Sequence, residues 1–197
     1  MSKTTNIMIV GVGGQGTLLA SRILGNAVIR MGYDVKVSEV HGMSQRGGSV
    51  VTYVKYGEKV HSPIIDNGEA DIVLAFELLE AYRALPALKP EGRLIVNDQR
   101  INPMPVITGA AKYPEDIVAK LSEKVDTTAV DALSLANEAG SFKSTNVVLI
   151  GVMAKSTDIP YEVWIDTVKS TVPQKFLDIN LKAFDLGYNY DREKCNV

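Results

Sequence analysis

Apolar and polar residues change their spacing several times along the chain, and each change marks an element. Asn6–Val10 is a short apolar run ending at glycines, the pattern of a buried parallel strand. From Thr17 the apolar residues Leu18, Leu19, Ile23, Leu24, Ala27, Val28 and Met31 recur at three- and four-residue steps. That spacing predicts an amphipathic helix, with Gly32 placed to end it. Asp34–Val40 sets Val35, Val37 and Val40 among polar residues and reads as a second strand. Strand, glycine turn, helix and strand make one right-handed βαβ unit. No helix pattern follows Val40. A polar, glycine-rich loop runs to Gly48, Ser49–Tyr56 is strand-like, residues 56–59 form a turn, and Val60–Ile65 reads as a short returning strand. This stretch predicts an antiparallel insertion at an edge of the sheet.

The βα pattern then resumes. Ile72–Phe76 reads as a strand, Glu77–Leu88 as a helix and Arg93–Asn97 as a strand entered through Pro90-Glu91-Gly92. Two prolines make Asn102–Pro105 a connection, and Val106–Gly109 reads as a short strand. Pro114–Lys124 fits a helix with Pro in its first turn, Thr127–Val130 a last strand, and Ala132–Ala139 a helix stopped by Gly140. Asn146–Lys155, Tyr161–Thr171 and Lys175–Leu186 read as three more helices, with Pro160 and Pro173 near the starts of the last two. The expected fold is α/β: a Rossmann-like, open and mostly parallel sheet with flanking helices, an antiparallel edge insertion and a helical C-terminal part. Nothing in the pattern suggests a linker or repeat, so residues 1–197 are expected to form a single domain.

Composition narrows the function classes. With 46% hydrophobic and 22% charged residues the chain has the balance of a soluble globular protein. A formal charge of −2 without a Lys/Arg cluster argues against nucleic acid as partner. No apolar run approaches the roughly 20 residues that span a bilayer, so no membrane segment and a cytoplasmic location are expected. Cys195 is the only cysteine, and His41 and His61 have no companion at metal-ligand spacing. An iron–sulfur cluster or a zinc site on four thiolates is excluded, and no metal is expected in this chain.

Two segments carry candidate chemistry. Gly11, Gly13 and Gly16 in Gly11-Val12-Gly13-Gly14-Gln15-Gly16 have the spacing of a phosphate cradle between strand and helix. Glu39, 23 residues after Gly16, stands where a ribose-binding carboxylate belongs in a dinucleotide fold. Two features oppose a plain NAD site. Gln15 sets a bulky amide beside the expected pyrophosphate, and Glu39 leads into a loop and strand rather than a crossover helix. Close helix–strand packing alone, or a docked protein, would also account for the glycines.

The second segment, His41-Gly42-Met43-Ser44-Gln45-Arg46-Gly47-Gly48-Ser49, follows the second strand, where open α/β sheets place their ligands. Gly47 and Gly48 permit a tight return or a close approach to a ligand. Arg46 offers a planar fork for carboxylate or phosphate, and Ser44, Gln45 and Ser49 bond without ionising. A solvated loop with a paired Arg46 is the bland alternative. His41, Gln45 and Arg46 are the catalytic candidates, although His41 has no evident orienting partner. Gly11, Gly13, Gly14, Gln15, Gly16, Ser44, Gly47 and Gly48 are the cofactor-binding candidates.

Together GVGGQG, EVHGMSQRGGSV and ADIVLAFE resemble the gamma-type domain of the 2-oxoacid:ferredoxin oxidoreductases. Residues 96–101, Pro105-Val106, Tyr113-Pro114 and residues 172–188 resemble the form found in indolepyruvate:ferredoxin oxidoreductases. The likeness spans nearly the whole chain, and Ser44 stands where alanine is equally expected. The resemblance implies a complex that decarboxylates an aryl 2-oxoacid on thiamine diphosphate with magnesium, passes electrons through iron–sulfur clusters to ferredoxin, and releases an aryl-acetyl-CoA. Because this chain lacks a cysteine set and the Gly-Asp-Gly stretch that holds magnesium and thiamine diphosphate, those groups are expected in a larger partner subunit. The expected role is to complete the site or hold coenzyme A. A gamma subunit of a related 2-oxoacid:ferredoxin oxidoreductase (2-oxoglutarate, pyruvate or 2-oxoisovalerate), a small NAD(P)-dependent oxidoreductase, and a regulatory nucleotide or coenzyme A sensor are the alternatives.

Overall fold

In the computed structural model, residues 4–42 and 47–191 are described. Six strands form one sheet: β1 (Thr5–Val12), β2 (Asp34–His41), β3 (Ser49–Gly57), β4 (Ala70–Ala75), β5 (Leu88–Asn97) and β6 (Asp126–Val130). Their order is β2-β3-β1-β4-β5-β6. β1, β4, β5 and β6 run parallel, while β3 pairs antiparallel with both β1 and β2. The expected antiparallel insertion is present, and its strand β3 slots between the two strands of the βαβ unit. β2 is thereby displaced to the sheet edge and left largely exposed.

The helices are α1 (Thr17–Arg30), α2 (Leu78–Ala84), α3 (Met104–Ile107), α4 (Ile117–Ser122), α5 (Ala132–Ala139), α6 (Thr145–Ala154), α7 (Tyr161–Thr171) and α8 (Leu177–Tyr188). Alternation along β1 divides the core. Ile7 and Ile9 face the layer of α1 and α5–α8, while Met8 and Val10 face α2 and α4. Burial on both faces is why β1 reads as an unbroken apolar run. From Asn146 to Ala154, α6 is buried on every side. It lies so close to α8 that a β-carbon at Gly187 would fall 2.0 Å from the Val148 carbonyl oxygen.

Two expected strands are not strands. Residues 58–69 are irregular, because Pro63 has no N–H for a ladder and the Val60 N–H is taken by the Asp34 carboxylate at 2.9 Å. Val60 and Ile65 are buried as anchors of this loop. Residues 104–107 form the short helix α3 instead of a strand at Val106–Gly109. A short apolar run fits either period, and Pro105 in the first turn favours the helix. α4 is shorter than expected, since Asp116 takes a left-handed backbone conformation (φ 53°) just before it.

Candidate functional site

The carboxyl ends of β1, β4 and β5 converge on the start of α1. Gly11 lies in β1 beneath the side chain of Gln15, and Gly13, Gly14 and Gly16 form the turn. Gly16 has φ 86°, and a β-carbon there would fall 2.6 Å from Asn146 Nδ2. Asn146, buried at the start of α6, donates to the Gly16 carbonyl at 3.2 Å and so ties the helical layer to the turn. The two glycine segments are themselves joined. The Gly13 N–H donates to the Gly48 carbonyl at 2.8 Å, and the Gly47 N–H donates back to Gly13 at 3.4 Å. Ser44, Gln45 and Arg46 lie outside the described residues.

Gln15 does not obstruct the turn; its side chain folds inward and helps build it. Its Oε1 accepts from the Val12 N–H at 2.7 Å, and its Nε2 donates to the Phe76 carbonyl at 2.8 Å and to Gln99 Oε1 at 3.0 Å. Asn97 approaches from the end of β5. Its Oδ1 accepts from the Ala132 N–H, and its Nδ2 donates to the same two oxygens, Phe76 O and Gln99 Oε1. Three side-chain amides therefore lock one another in place across 84 residues of sequence.

A buried carboxylate fixes the loop that carries Gln99. Glu77 follows β4 and caps α2, accepting from Glu80 N–H, Ile101 N–H and the Tyr113 hydroxyl. The Leu78 N–H donates to the Gln99 carbonyl. Burial, and then the bond to Glu77, push the Tyr113 hydroxyl well above its ordinary pKa, so it remains a donor at neutral pH. The Arg100 guanidinium lies over the Tyr113 ring, 4.3 Å from its centre. Glu80 next accepts from Ser49 Oγ at 2.5 Å and Arg83 Nη1 at 2.6 Å, anchoring the start of β3.

Two clefts flank the turn. The first, about 430 Å³, is lined by Gly13, Gly14, Gly16, Thr17, Leu18, Glu39, His41 and Val50. The N–H groups of Gly16, Thr17 and Leu18 have no acceptor among the described residues, as the first turn of a helix requires. Glu39 reaches this cleft from β2 with Thr52 Oγ1 at 3.3 Å, and the exposed His41 ring contacts its neighbour Gly42. The second cleft, about 460 Å³, opens on the other side and includes Gln99, Leu133, Phe142, Lys143 and Thr145. Gln99, Phe142 and Lys143 were not singled out from the sequence as site residues. Each is an ordinary polar or apolar residue until the fold places it. Among the described residues no group of three or more His, Cys, Asp or Glu side chains could hold a metal ion.

This arrangement defines an α/β module with hydrogen-bond donors gathered at the carboxyl end of its sheet. A profile of the pyruvate ferredoxin/flavodoxin oxidoreductase family matches residues 6–190. The indolepyruvate oxidoreductase subunit IorB of Pyrococcus horikoshii is 43% identical over 99% of this chain and 100% of its own length. Its counterpart in Methanothermobacter thermautotrophicus is 40% identical over 93% of this chain and 95% of its own length. The keto/oxoacid ferredoxin oxidoreductase gamma subunit of Geobacter sulfurreducens superposes with a TM-score of 0.68 at 28% identity, covering 93% of this chain and 96% of that one. A 2-oxoglutarate:ferredoxin oxidoreductase from Magnetococcus marinus shares the fold, with a TM-score of 0.72 at 20% identity over 95% of this chain and 31% of that one. The chain belongs to the pyruvate ferredoxin/flavodoxin oxidoreductase family.

Proposed function

We propose that this chain is the small, non-autonomous subunit of an aryl 2-oxoacid (indolepyruvate) ferredoxin oxidoreductase. The observation that carries this reading is the 43–44% identity, over 99% of the chain, to subunits of indolepyruvate oxidoreductases. Two further facts support it. The matching region is only 31–37% of longer related chains, as expected of a module that works beside other domains. The chain also has one cysteine and two histidines, a donor set that does not fit iron–sulfur clusters.

Thiamine diphosphate, magnesium and the clusters therefore belong to a larger partner subunit, with ferredoxin as electron acceptor. Thiamine diphosphate supplies the carbanion chemistry of decarboxylation when bound there. This chain holds and orients. The N–H groups at the start of α1, without acceptors among the described residues, suit a phosphate of coenzyme A, and Glu39 suits a sugar hydroxyl beside it. His41, Gln45 and Arg46 are the candidates for contact with the reacting molecule. A complex made in the cytoplasm from this chain and its larger partner should reduce ferredoxin with indolepyruvate and coenzyme A, while neither polypeptide does so alone. Turnover by this chain alone, or a complex that prefers pyruvate or 2-oxoglutarate, would sink the reading. Wild-type turnover by a Gln45→Ala, Arg46→Ala complex would remove those two residues from the chemistry.

A second reading is a free-standing nucleotide-binding protein, favoured by Glu39 and the glycine turn sharing one cleft. β3 opposes a plain NAD site, because it separates the Glu39 strand from β1 by two inter-strand spacings of ~4.8 Å each. Calorimetric titration of the chain with NAD(H) and NADP(H) decides it; absence of heat at millimolar nucleotide ends that reading.

A further inference from the structure

The three-amide cluster has a directional consequence. An amide side chain presents an oxygen on one side and an NH2 on the other, and the network dictates which faces where. The Val12 N–H is a backbone donor, so Gln15 must turn its oxygen toward it and its NH2 toward Phe76 O and Gln99. The Ala132 N–H likewise forces the Asn97 oxygen inward on that side and its NH2 toward the same pair. Gln99 receives two donors and must offer its oxygen to both. Its NH2 is therefore directed away from the cluster, with no acceptor among the described residues, while Gln99 lines the second cleft.

The remaining walls agree in chemistry. Lys143 adds an ammonium that forms no ion pair with the described residues, and no carboxylate is among the described lining residues. Phe142 and Leu133 expose large apolar side chains, 61% and 39% accessible, at the same opening. A cation and fixed donors ask for an oxyanion, and an exposed aromatic ring beside them asks for a flat apolar body. A volume of about 460 Å³ is within the roughly 300–1,000 Å³ typical of small-molecule sites.

We infer that the cleft between Gln99, Lys143 and Phe142 binds an aryl-bearing carboxylate, with the Gln99 NH2 and Lys143 on the oxyanion and Phe142 and Leu133 against the ring. This rests on the aryl 2-oxoacid reading only for the choice of ring. The donor geometry is independent of it. The site lies across the glycine turn from the Glu39 cleft and gives this subunit its own means of holding the substrate 2-oxoacid.

The test uses the full chain, with isotope-labelled side-chain amides followed by NMR. Phenylpyruvate is the probe, with benzyl alcohol (ring without charge) and inorganic phosphate (charge without ring) as comparison arms. Phenylpyruvate should shift the Gln99 NH2 signals, and the other two should bind about tenfold or more weakly. Gln99→Glu keeps the oxygen that the cluster needs but replaces the outward donor with an acceptor. It should retain the wild-type Tm within a few degrees and weaken phenylpyruvate by about tenfold or more. Lys143→Met, at an exposed position, should weaken it several-fold, and Lys169→Met, an exposed lysine on α7, should not change it. Unmoved Gln99 signals, wild-type affinity in Lys143→Met, or phosphate binding as tightly as phenylpyruvate would each overturn the inference. Failure here with ferredoxin reduction intact leaves the proposed function standing. Binding here in a complex that prefers pyruvate removes that function and leaves an aryl-oxyanion site.

Discussion

The two clefts beside the glycine turn share a wall and differ in almost everything else. The Glu39 cleft is built from local sequence: the turn, the first residues of α1 and the end of the next strand supply its described lining apart from Val50. Glu39 and the backbone amides that lack acceptors among the described residues suit a ligand with both phosphate and hydroxyl groups. The Gln99 cleft is assembled from residues between Gly14 and Thr145, carries a cation and no acid among the described residues, and has exposed aromatic surface. One turn therefore presents two unlike linings, because backbone groups face one way and a locked amide cluster faces the other.

The shared wall gives the largest expected effect. Gly16→Ala puts a β-carbon 2.6 Å from Asn146 Nδ2 at a residue with φ 86°. Positive φ alone costs about 1–2 kcal/mol, and the clash adds about 1–3 kcal/mol. Chemical denaturation should show a loss of about 2–5 kcal/mol, with ligand binding impaired on both sides of the turn. A variant as stable as wild type would show that the turn yields to its surroundings.

Gln15→Leu separates the clefts. It leaves the Val12 N–H without its acceptor and frees Gln99 to rotate, so stability should fall by about 1–3 kcal/mol. Phenylpyruvate should no longer order the Gln99 amide, while ligands of the Glu39 cleft are affected less. Equal damage to both would mean that the cluster supports the whole turn.

Tyr113→Phe acts one step further out, removing a donor from buried Glu77 at a cost of about 1–2 kcal/mol at pH 7. The sign of its pH dependence follows from the raised pKa. The folded state holds the phenolic proton more tightly than the unfolded chain, whose tyrosines titrate near pH 10. The contribution is complete below about pH 10 and is lost as pH rises beyond it. Urea unfolding at pH 7, 10 and 11 should show a decline in wild type that the variant shows less. Parallel curves would contradict the assignment.

Glu39→Gln should be the mildest, within about 0.5 kcal/mol of wild type, since the side chain is exposed and its bond to Thr52 is long at 3.3 Å. Its effect should appear in coenzyme A affinity of the complex and leave phenylpyruvate binding unchanged.

Much of the framework was legible because it depends on local rules. The glycine spacing, the periodicity of α1, Gly140 as a stop and Pro160 before α7 each act within a few residues, and the structure shows α1, α5 and α7 where they imply. The insertion of β3 was legible as antiparallel, but its seat between β1 and β2 was not. Pairing partners are chosen by burial on both faces, which a single strand's pattern does not reveal. Gln15 shows the same boundary within one residue. In sequence it is a bulky amide at a phosphate-binding turn, whereas in the fold its atoms are all directed toward Val12, Phe76 and Gln99.

The amino-acid order by itself determined the glycine turn, helices such as α1, α5 and α7, and the absence of a thiolate set, because backbone preference and side-chain inventory need no partner. Only the tertiary structure decided which way the Gln99 amide points and that Lys143 and Phe142 stand beside it. Those are properties of hydrogen bonds and packing between segments up to 130 residues apart, and no local spacing encodes them.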